Sequence, residues 1–83
     1  MTTDAIRAAL RRFIETELAA GATFADDESL MESGVLSSMG IVRLIQFIND
    51  QLQVTIDDVE LEPDNFETLD AMTVLVTSKR GPS

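Results

Sequence analysis

Hydrophobic residues recur at helical spacing near the start of the chain. Residues 2–21 read TTDAIRAALRRFIETELAAG, with polar side chains filling the positions between the apolar ones. The apolar stripe consists of Ile6, Leu10, Phe13, Ile14 and Leu18. This spacing predicts one amphipathic helix, which Thr2 or Thr3 can cap and which Gly21 ends.

A second stretch with hydrophobic residues at helical spacing runs from Ser38 to Leu52. Its core face is predicted to hold Ile41, Leu44, Ile45, Ile48 and Leu52. The opposite face holds Met39, Val42, Arg43, Gln46 and Asp50, and it is more apolar than a surface helix needs. Ser37 precedes this helix and is the predicted N-cap.

The segments around the second helix complete the predicted fold. Residues 22–36 show no sustained period and form a long loop, which apolar side chains should pin to the core. Those side chains are Phe24, Leu30, Val35 and Leu36. Thr55 and Asp58 resemble a capping pair that opens a short helical turn.

A final helix is predicted from Thr68, its cap, to Lys79 and Arg80, followed by Gly81 and Pro82. Its buried side is Leu69, Met72, Leu75 and Val76. We therefore expect a single all-α domain over residues 1–83, with an ordered core of about 3–79. It is a four-helix bundle of three main helices and one short one, and its core includes Phe13, Phe47 and Phe66.

The net charge of the chain limits the classes of partner that it can bind. Six Lys and Arg against fifteen Asp and Glu give a formal net charge of −9, and Arg43 is the one cation between Phe13 and Ser78. Such a chain repels nucleic acid and anionic membranes and favours partners that present Lys and Arg. The chain has no cysteine, and its apolar runs are too short for a signal peptide or a membrane span, so we expect a cytoplasmic protein.

The serine pair Ser37–Ser38 is the main candidate for chemistry. The chain has no histidine to activate a serine, and GVLSSMG does not fit the G-x-S-x-G motif, so no catalytic residue is predicted. DDVELEPD lacks the ligand spacing of a calcium loop, so no metal site is predicted. Ser38 would be the first helical residue, facing outward, where a helix N-terminus stabilises a bound phosphate.

The segments LMESGVLSSMGIVRLIQFINDQLQVTI and LEPDNFETLDAM resemble the acyl and peptidyl carrier proteins, over about residues 3–77. Leu30, Gly34, Ser38 and Met39 match the family pattern. The resemblance implies that a phosphopantetheinyl transferase moves 4′-phosphopantetheine from coenzyme A onto Ser38, whose arm then holds a thioester. It also implies acyl or aminoacyl ligases and downstream acyl-transfer enzymes as partners of a monomeric carrier.

Two positions depart from the family pattern. Ser37 stands where an Asp is usual, and Arg43 stands where an acidic residue is common on the exposed face of the second helix. Recognition by a basic partner must then depend on the loop acids and on Asp57, Asp58, Glu60 and Glu62. Met39, Val42 and Gln46 form a candidate docking stripe, although Val42 could instead pack under the short helix with Met39 as tolerated exposure.

The nature of the cargo and two rival functions stay open at this level. SMGIVRLIQFIND resembles stand-alone carriers of amino acids or small specialised units, such as the D-alanyl carrier type, more than it resembles the fatty-acid housekeeping carrier. One rival is an unmodified helical interaction module in which both serines only cap the helix. The other is a small hydrolase that uses Ser38.

Overall fold

The computed structural model describes residues 2–19 and 21–80, with the side chains of Asp58 and Pro63 excluded. Three α-helices form the framework: α1 (Thr3–Phe13), α2 (Ser38–Gln51) and α3 (Leu69–Arg80). The predicted short helix is two separate 3-10 turns, Asp58–Glu60 and Pro63–Phe66, and the described residues contain no strand. The all-α bundle with a long loop between its first two helices is confirmed.

The first helix does not continue as an α-helix to Gly21, so that part of the prediction was wrong. Its last turn, Ile14–Leu18, is a wider π-helix in which the Ala19 N–H donates to the Ile14 carbonyl at 2.8 Å. Thr2 caps the start by accepting from the Ala5 N–H at 3.1 Å. Gly21 ends the segment as predicted, with a φ of 81° that glycine adopts without strain.

The core contains side chains from all three α-helices and from the loops. Its members are Ile6, Leu10, Ile14, Phe24, Leu30, Leu36, Leu44, Ile48, Leu52, Val54, Phe66, Leu69, Met72 and Val76. The predicted loop anchors Phe24, Leu30 and Leu36 are buried, and Val35 packs against the core from a partly buried position. Most residues of the apolar faces predicted for the helices are therefore buried, whereas Leu18, Ile41, Ile45 and Leu75 pack against the core from partly buried positions.

Phe13 and Phe47 are not core residues, contrary to the prediction. They stack on each other between α1 and α2, with ring centroids 4.3 Å apart and planes inclined by 21°. Surface grooves of about 260 and 270 Å³ border the pair. Each ring covers a face of the other, which leaves their edges partly open to solvent.

Asp26 connects the long loop to α1. Its carboxylate accepts from Arg7 at 3.0 Å and also from Arg11, whose guanidinium donates to the Phe24 carbonyl at 2.7 Å. The hydrogen bond from Arg11, reinforced by Arg7, holds the pKa of Asp26 below its ordinary value. The first half of the loop is thus fixed to α1 by charge as well as by apolar packing.

The short segment before α3 begins later than predicted. The first 3-10 turn starts at Asp58, so Asp57 rather than Thr55 occupies the capping position. The Glu60 carboxylate accepts from the Asp57 N–H at 2.9 Å, and the Asp57 carbonyl accepts from the Glu60 N–H at 2.8 Å. Glu60 therefore supplies the acidic half of a capping box, which the Thr55 and Asp58 pairing missed.

Candidate functional site

Ser37 caps α2, as predicted. Its backbone is extended, with φ −110° and ψ 174°, and its Oγ accepts from the Gly40 N–H at 3.2 Å. Its carbonyl accepts the first bond of the helix, from the Ile41 N–H at 2.9 Å. The Ser37 hydroxyl is therefore used within the fold.

Ser38 is the first residue of α2 and lies exposed, as do Ser37 and Met39 on either side of it. Among the described residues, no hydrogen bond engages its hydroxyl. A buried Ser38 would have excluded modification by an incoming enzyme. The structure instead leaves this oxygen accessible at the mouth of the helix.

Leu36 and Gly40 lie close together at the start of α2. Leu36 is buried, and its N–H donates to the Leu30 carbonyl at 3.0 Å. A Cβ at Gly40 would lie 3.1 Å from Leu36 Cδ1 and 3.7 Å from Leu18 Cδ1. The missing side chain lets Leu36 pack closely beside the helix, while Ser38 lies exposed. Sequence reasoning gave Gly40 no such role, although a glycine inside a helical period was the available signal.

The start of α2 carries no acidic side chain in its first turn. By contrast, Asp4 lies in the first turn of α1 and Asp70 in that of α3. The N-terminus of an α-helix exposes unpaired N–H groups and a positive partial charge. A phosphodiester on an adjacent hydroxyl would supply the anion that this helix lacks, so the residues present fit such a group.

Apolar side chains on α2 are exposed next to the serines. Met39 is 71% exposed and Val42 is 49% exposed, while Arg43 and Gln46 lie exposed on the same helix. Packing of Val42 beneath the short helix would bury more of it than the structure shows. The stripe that the sequence singled out is therefore a real surface feature.

The segment between the last two helices adds apolar surface that sequence reasoning missed. Val59 is 81% exposed and Leu61 is 44% exposed. The signal was present in DDVELEPD, where apolar and acidic residues alternate without forming a buried face. Both residues lie in a stretch that the sequence analysis treated only as a source of acids.

The candidate partner-binding acids differ in how free they are. Lys79 lies 2.5 Å from Glu60 and 3.5 Å from Asp57, and the Glu60 side chain is only 22% exposed. The hydrogen bond from Lys79 holds the pKa of Glu60 below its ordinary value. Asp57 keeps 66% of its side chain exposed, Glu62 is exposed, and the side chain of Asp58 lies outside the described residues. Asp57 and Glu62 are thus more available than Glu60.

A family comparison decides what kind of domain this is. The pattern of the phosphopantetheine attachment site family matches residues 4–75. The chain belongs to that family. Members of this family carry covalently attached 4′-phosphopantetheine, so the resemblance to acyl and peptidyl carrier proteins and the predicted cofactor are both confirmed. A search of curated proteins found no match.

The family assignment gives the chain a phosphopantetheine carrier role. Carrier domains of this kind interact with phosphopantetheinyl transferases and with biosynthetic enzymes. None of the helices in the described part of the chain is long and apolar enough to cross a membrane.

Proposed function

We propose that Ser38 is the attachment serine, and that the protein carries an acyl or aminoacyl unit as a thioester between biosynthetic enzymes. The observation that carries this proposal is the exposed Ser38 hydroxyl, free of internal hydrogen bonds among the described residues, at the start of α2. The family match extends across this position.

The other serines of the described chain are less suited to the role. The Ser33 hydroxyl donates to the Leu30 carbonyl at 3.2 Å, and Ser29 accepts from the Glu32 N–H at 3.4 Å. Ser78 lies in the last turns of α3, where the helix dipole is unfavourable to an anion. Ser38 alone combines exposure, an unused hydroxyl and a helix N-terminus.

Loading requires a transferase, because the chain has no histidine or cysteine to activate Ser38. Its Oγ forms a bond to the phosphorus of the arm while the bond from that phosphorus to the bridging oxygen of coenzyme A breaks. The Ser38 proton passes to a base of the transferase, and the nucleotide leaves as adenosine 3′,5′-bisphosphate. Once bound, the arm supplies the thiol that holds the thioester. The protein itself presents and orients this group and is not a catalyst.

The docking face proposed for these enzymes is Met39, Val42, Arg43 and Gln46 of α2, together with Asp57 and Asp58. We add to it the exposed apolar residues Val59 and Leu61, which follow Asp58 in the chain. A flexible thioether beside branched side chains suits weak contacts with several partners in turn. The acidic surroundings speed encounter more than they tighten the complex, as a monomeric shuttle requires.

The proposed cargo is an amino acid or another small unit of specialised metabolism. The likeness of SMGIVRLIQFIND to stand-alone carriers of such units supports this choice. The grooves of about 260 and 270 Å³ beside Phe13 and Phe47 are open at the surface, as is the groove of about 500 Å³ along α3. The intact mass of the thioester form isolated from the native host would identify the unit.

Transfer from coenzyme A by a broad-specificity transferase tests the proposal. Intact mass spectrometry should show one added phosphopantetheine on the wild type and on Ser37→Ala, and none on Ser38→Ala. Ser37→Ala is the matched control because it removes a neighbouring hydroxyl of the same helix end. Addition to Ser38→Ala would show that the arm lies elsewhere.

The replacement of the family's Asp by Ser37 favours one alternative, an unmodified interaction module. If neither serine is modified by any of several transferases, that alternative holds. The hydrolase alternative predicts covalent labelling of Ser38 by a fluorophosphonate, which we expect to fail because no base is available.

A further inference from the structure

Arg43 is an isolated cation on an acidic protein. It is the one Lys or Arg between Phe13 and Ser78, a stretch that holds fourteen of the fifteen acids. The structure places it exposed on α2, one turn from Met39 and from Gln46. It thus lies within the docking face proposed above.

The charge of Arg43 is held in place. Its Nη1 donates to the Glu17 carbonyl at 3.0 Å, in the π-helical turn that ends the α1 segment. Arg7, Arg11 and Lys79 each pair with carboxylates, whereas Arg43 forms no ion pair within the described part of the chain. A guanidinium has five N–H donors, so one bond to a carbonyl leaves most of its donors and its full charge for a partner.

We infer that Arg43 is a specificity-determining residue, which favours partners that place a carboxylate opposite it and slows enzymes whose docking surface is uniformly basic. This inference rests on the proposed carrier function. The net charge of −9 attracts basic partners from a distance. At contact, Arg43 repels a cation placed against α2, and like charges across an interface discriminate against the wrong partner.

A simpler role for Arg43 is to tie α1 to α2 through the Glu17 carbonyl. Arg43→Gln and Arg43→Glu together separate the two roles, because both shorter side chains lose the donation to that carbonyl and differ from each other only in charge. Arg43→Glu reverses the charge. If Arg43 were only a tie, thermal stability would change and the rate of loading would not follow the charge.

The experiment measures kcat/KM for transfer of phosphopantetheine from coenzyme A by a broad-specificity transferase whose acceptor-facing surface is basic. At low salt we expect a rise of about twofold for Arg43→Gln and about fivefold for Arg43→Glu. In 1 M NaCl, where the Debye length is about 3 Å, the three rates should converge. Equal rates for wild type and Arg43→Glu at low salt would overturn the inference.

Arg12 provides the matched control. It is an exposed cation on α1, outside the proposed docking face, although it shares a groove with Phe47 of α2. Arg12→Gln and Arg12→Glu therefore change the net charge by the same amounts without altering the docking face. We expect smaller increases from these variants. Equal increases would show that only the total charge matters and would also overturn the inference.

A charge swap tests whether Arg43 favours a partner that places a carboxylate opposite it. Transferase variants are made in which each docking-surface cation is replaced in turn by Glu. For at least one variant, wild type should be loaded faster than Arg43→Glu; a preference for Arg43→Glu in every variant would contradict it. Failure of the proposed function is distinguishable, because it would appear as no loading of the wild type at Ser38.

Discussion

The starts of α2 and α3 use the same cap in different surroundings. Ser37 accepts from the Gly40 N–H at 3.2 Å, and Thr68 accepts from the Ala71 N–H at 3.0 Å. The residue after each cap differs, since Ser38 is exposed and Leu69 is fully buried. The cap therefore begins a helix in both cases without deciding which way the helix mouth faces.

The start of α3 is also tied to other parts of the chain. The Asp70 N–H donates to the Asp26 carbonyl at 3.0 Å, and the Asp70 carboxylate accepts from Arg7. The Leu30 N–H donates to the Glu67 carbonyl at 2.8 Å. Contacts with the loop and with α1 therefore fix the start of α3 within the fold. In the part of the chain that the structure describes, the start of α2 packs on Leu36 and Leu18 at Gly40, and Ser38 stays exposed.

The largest expected effect comes from truncating an apolar side chain at the start of α3 and comparing it with the same change at the start of α2. Leu69→Ala removes a fully buried side chain and should lower the free energy of unfolding by about 2–5 kcal/mol. Met39→Ala truncates a side chain that is 71% exposed and should change it by less than about 0.5 kcal/mol. Urea unfolding followed by circular dichroism measures both. Similar losses would mean that the two ends do not differ as described.

Removing the caps should have a smaller effect. Thr68→Ala and Ser37→Ala should each cost about 1 kcal/mol, because each leaves a helix N–H without its acceptor. Thr68 is partly buried and Ser37 is exposed, so Thr68→Ala should be the more costly. The same unfolding measurement applies, with Ser38→Ala as a control that leaves both caps intact. A larger loss for Ser37→Ala would reverse the proposed ranking.

A smaller effect is expected from loading itself. The first turn of α3 holds Asp70 and that of α2 holds no acid, so a phosphodiester on Ser38 should stabilise the fold by about 0.3–1 kcal/mol at low salt. Ser37→Asp should give a similar gain without the arm, since Asp is also a good cap. Unfolding of the apo and loaded forms at low and high salt measures the gain.

The two gains should not add, because both anions would act at one helix end. Ser37→Asp should therefore raise the free energy of unfolding less in the loaded protein than in the apo protein. A gain on loading that persists in 1 M NaCl would contradict an electrostatic origin.

Local patterns were enough to predict much of this fold. The period of about 3.6 residues identified the three helices and their buried faces, because burial of one face is what stabilises a helix in a small domain. Ser37 and Thr68 were found as caps because the bond that each makes spans three residues. For the same reason, Ser38 was correctly predicted to be the first residue of the helix, because it follows the cap.

Features that depend on distant contacts were missed. The approach of Gly40 to Leu18 and the bond from Arg43 to the Glu17 carbonyl, in the π-helical turn Ile14–Leu18, join segments that meet only in the folded chain. The pair of Arg7 and Asp70 spans 63 residues. The exposure of Ser38, in contrast, was predicted, because the helical spacing placed this residue facing outward.

The smallest expected effect concerns acid. The hydrogen bond from Arg11 holds the pKa of Asp26 below its ordinary value, so the folded state binds this proton less readily than the unfolded state. Its stabilising contribution is complete above an unfolded pKa of about 3.9 and is lost as pH falls through the lower folded value. The side chains of Arg7 and Asp26 are 29% and 43% exposed, which keeps the contribution small and sensitive to salt.

Thermal melts between pH 6 and pH 3 measure this loss, with Asp26→Asn as the variant. Asp26→Asn should melt at a lower temperature than wild type at pH 6. The difference in melting temperature should narrow toward pH 3, because acid neutralises the Asp26 carboxylate of wild type, and the variant lacks that charge at every pH. Asp27→Asn is the control, since Asp27 is an exposed neighbour outside the ion pairs of the described residues. A difference that stays constant across this range would contradict a contribution from the charge of Asp26. No difference at any pH would show that Asp26 supports the start of α3 through its backbone carbonyl alone, which Asn keeps.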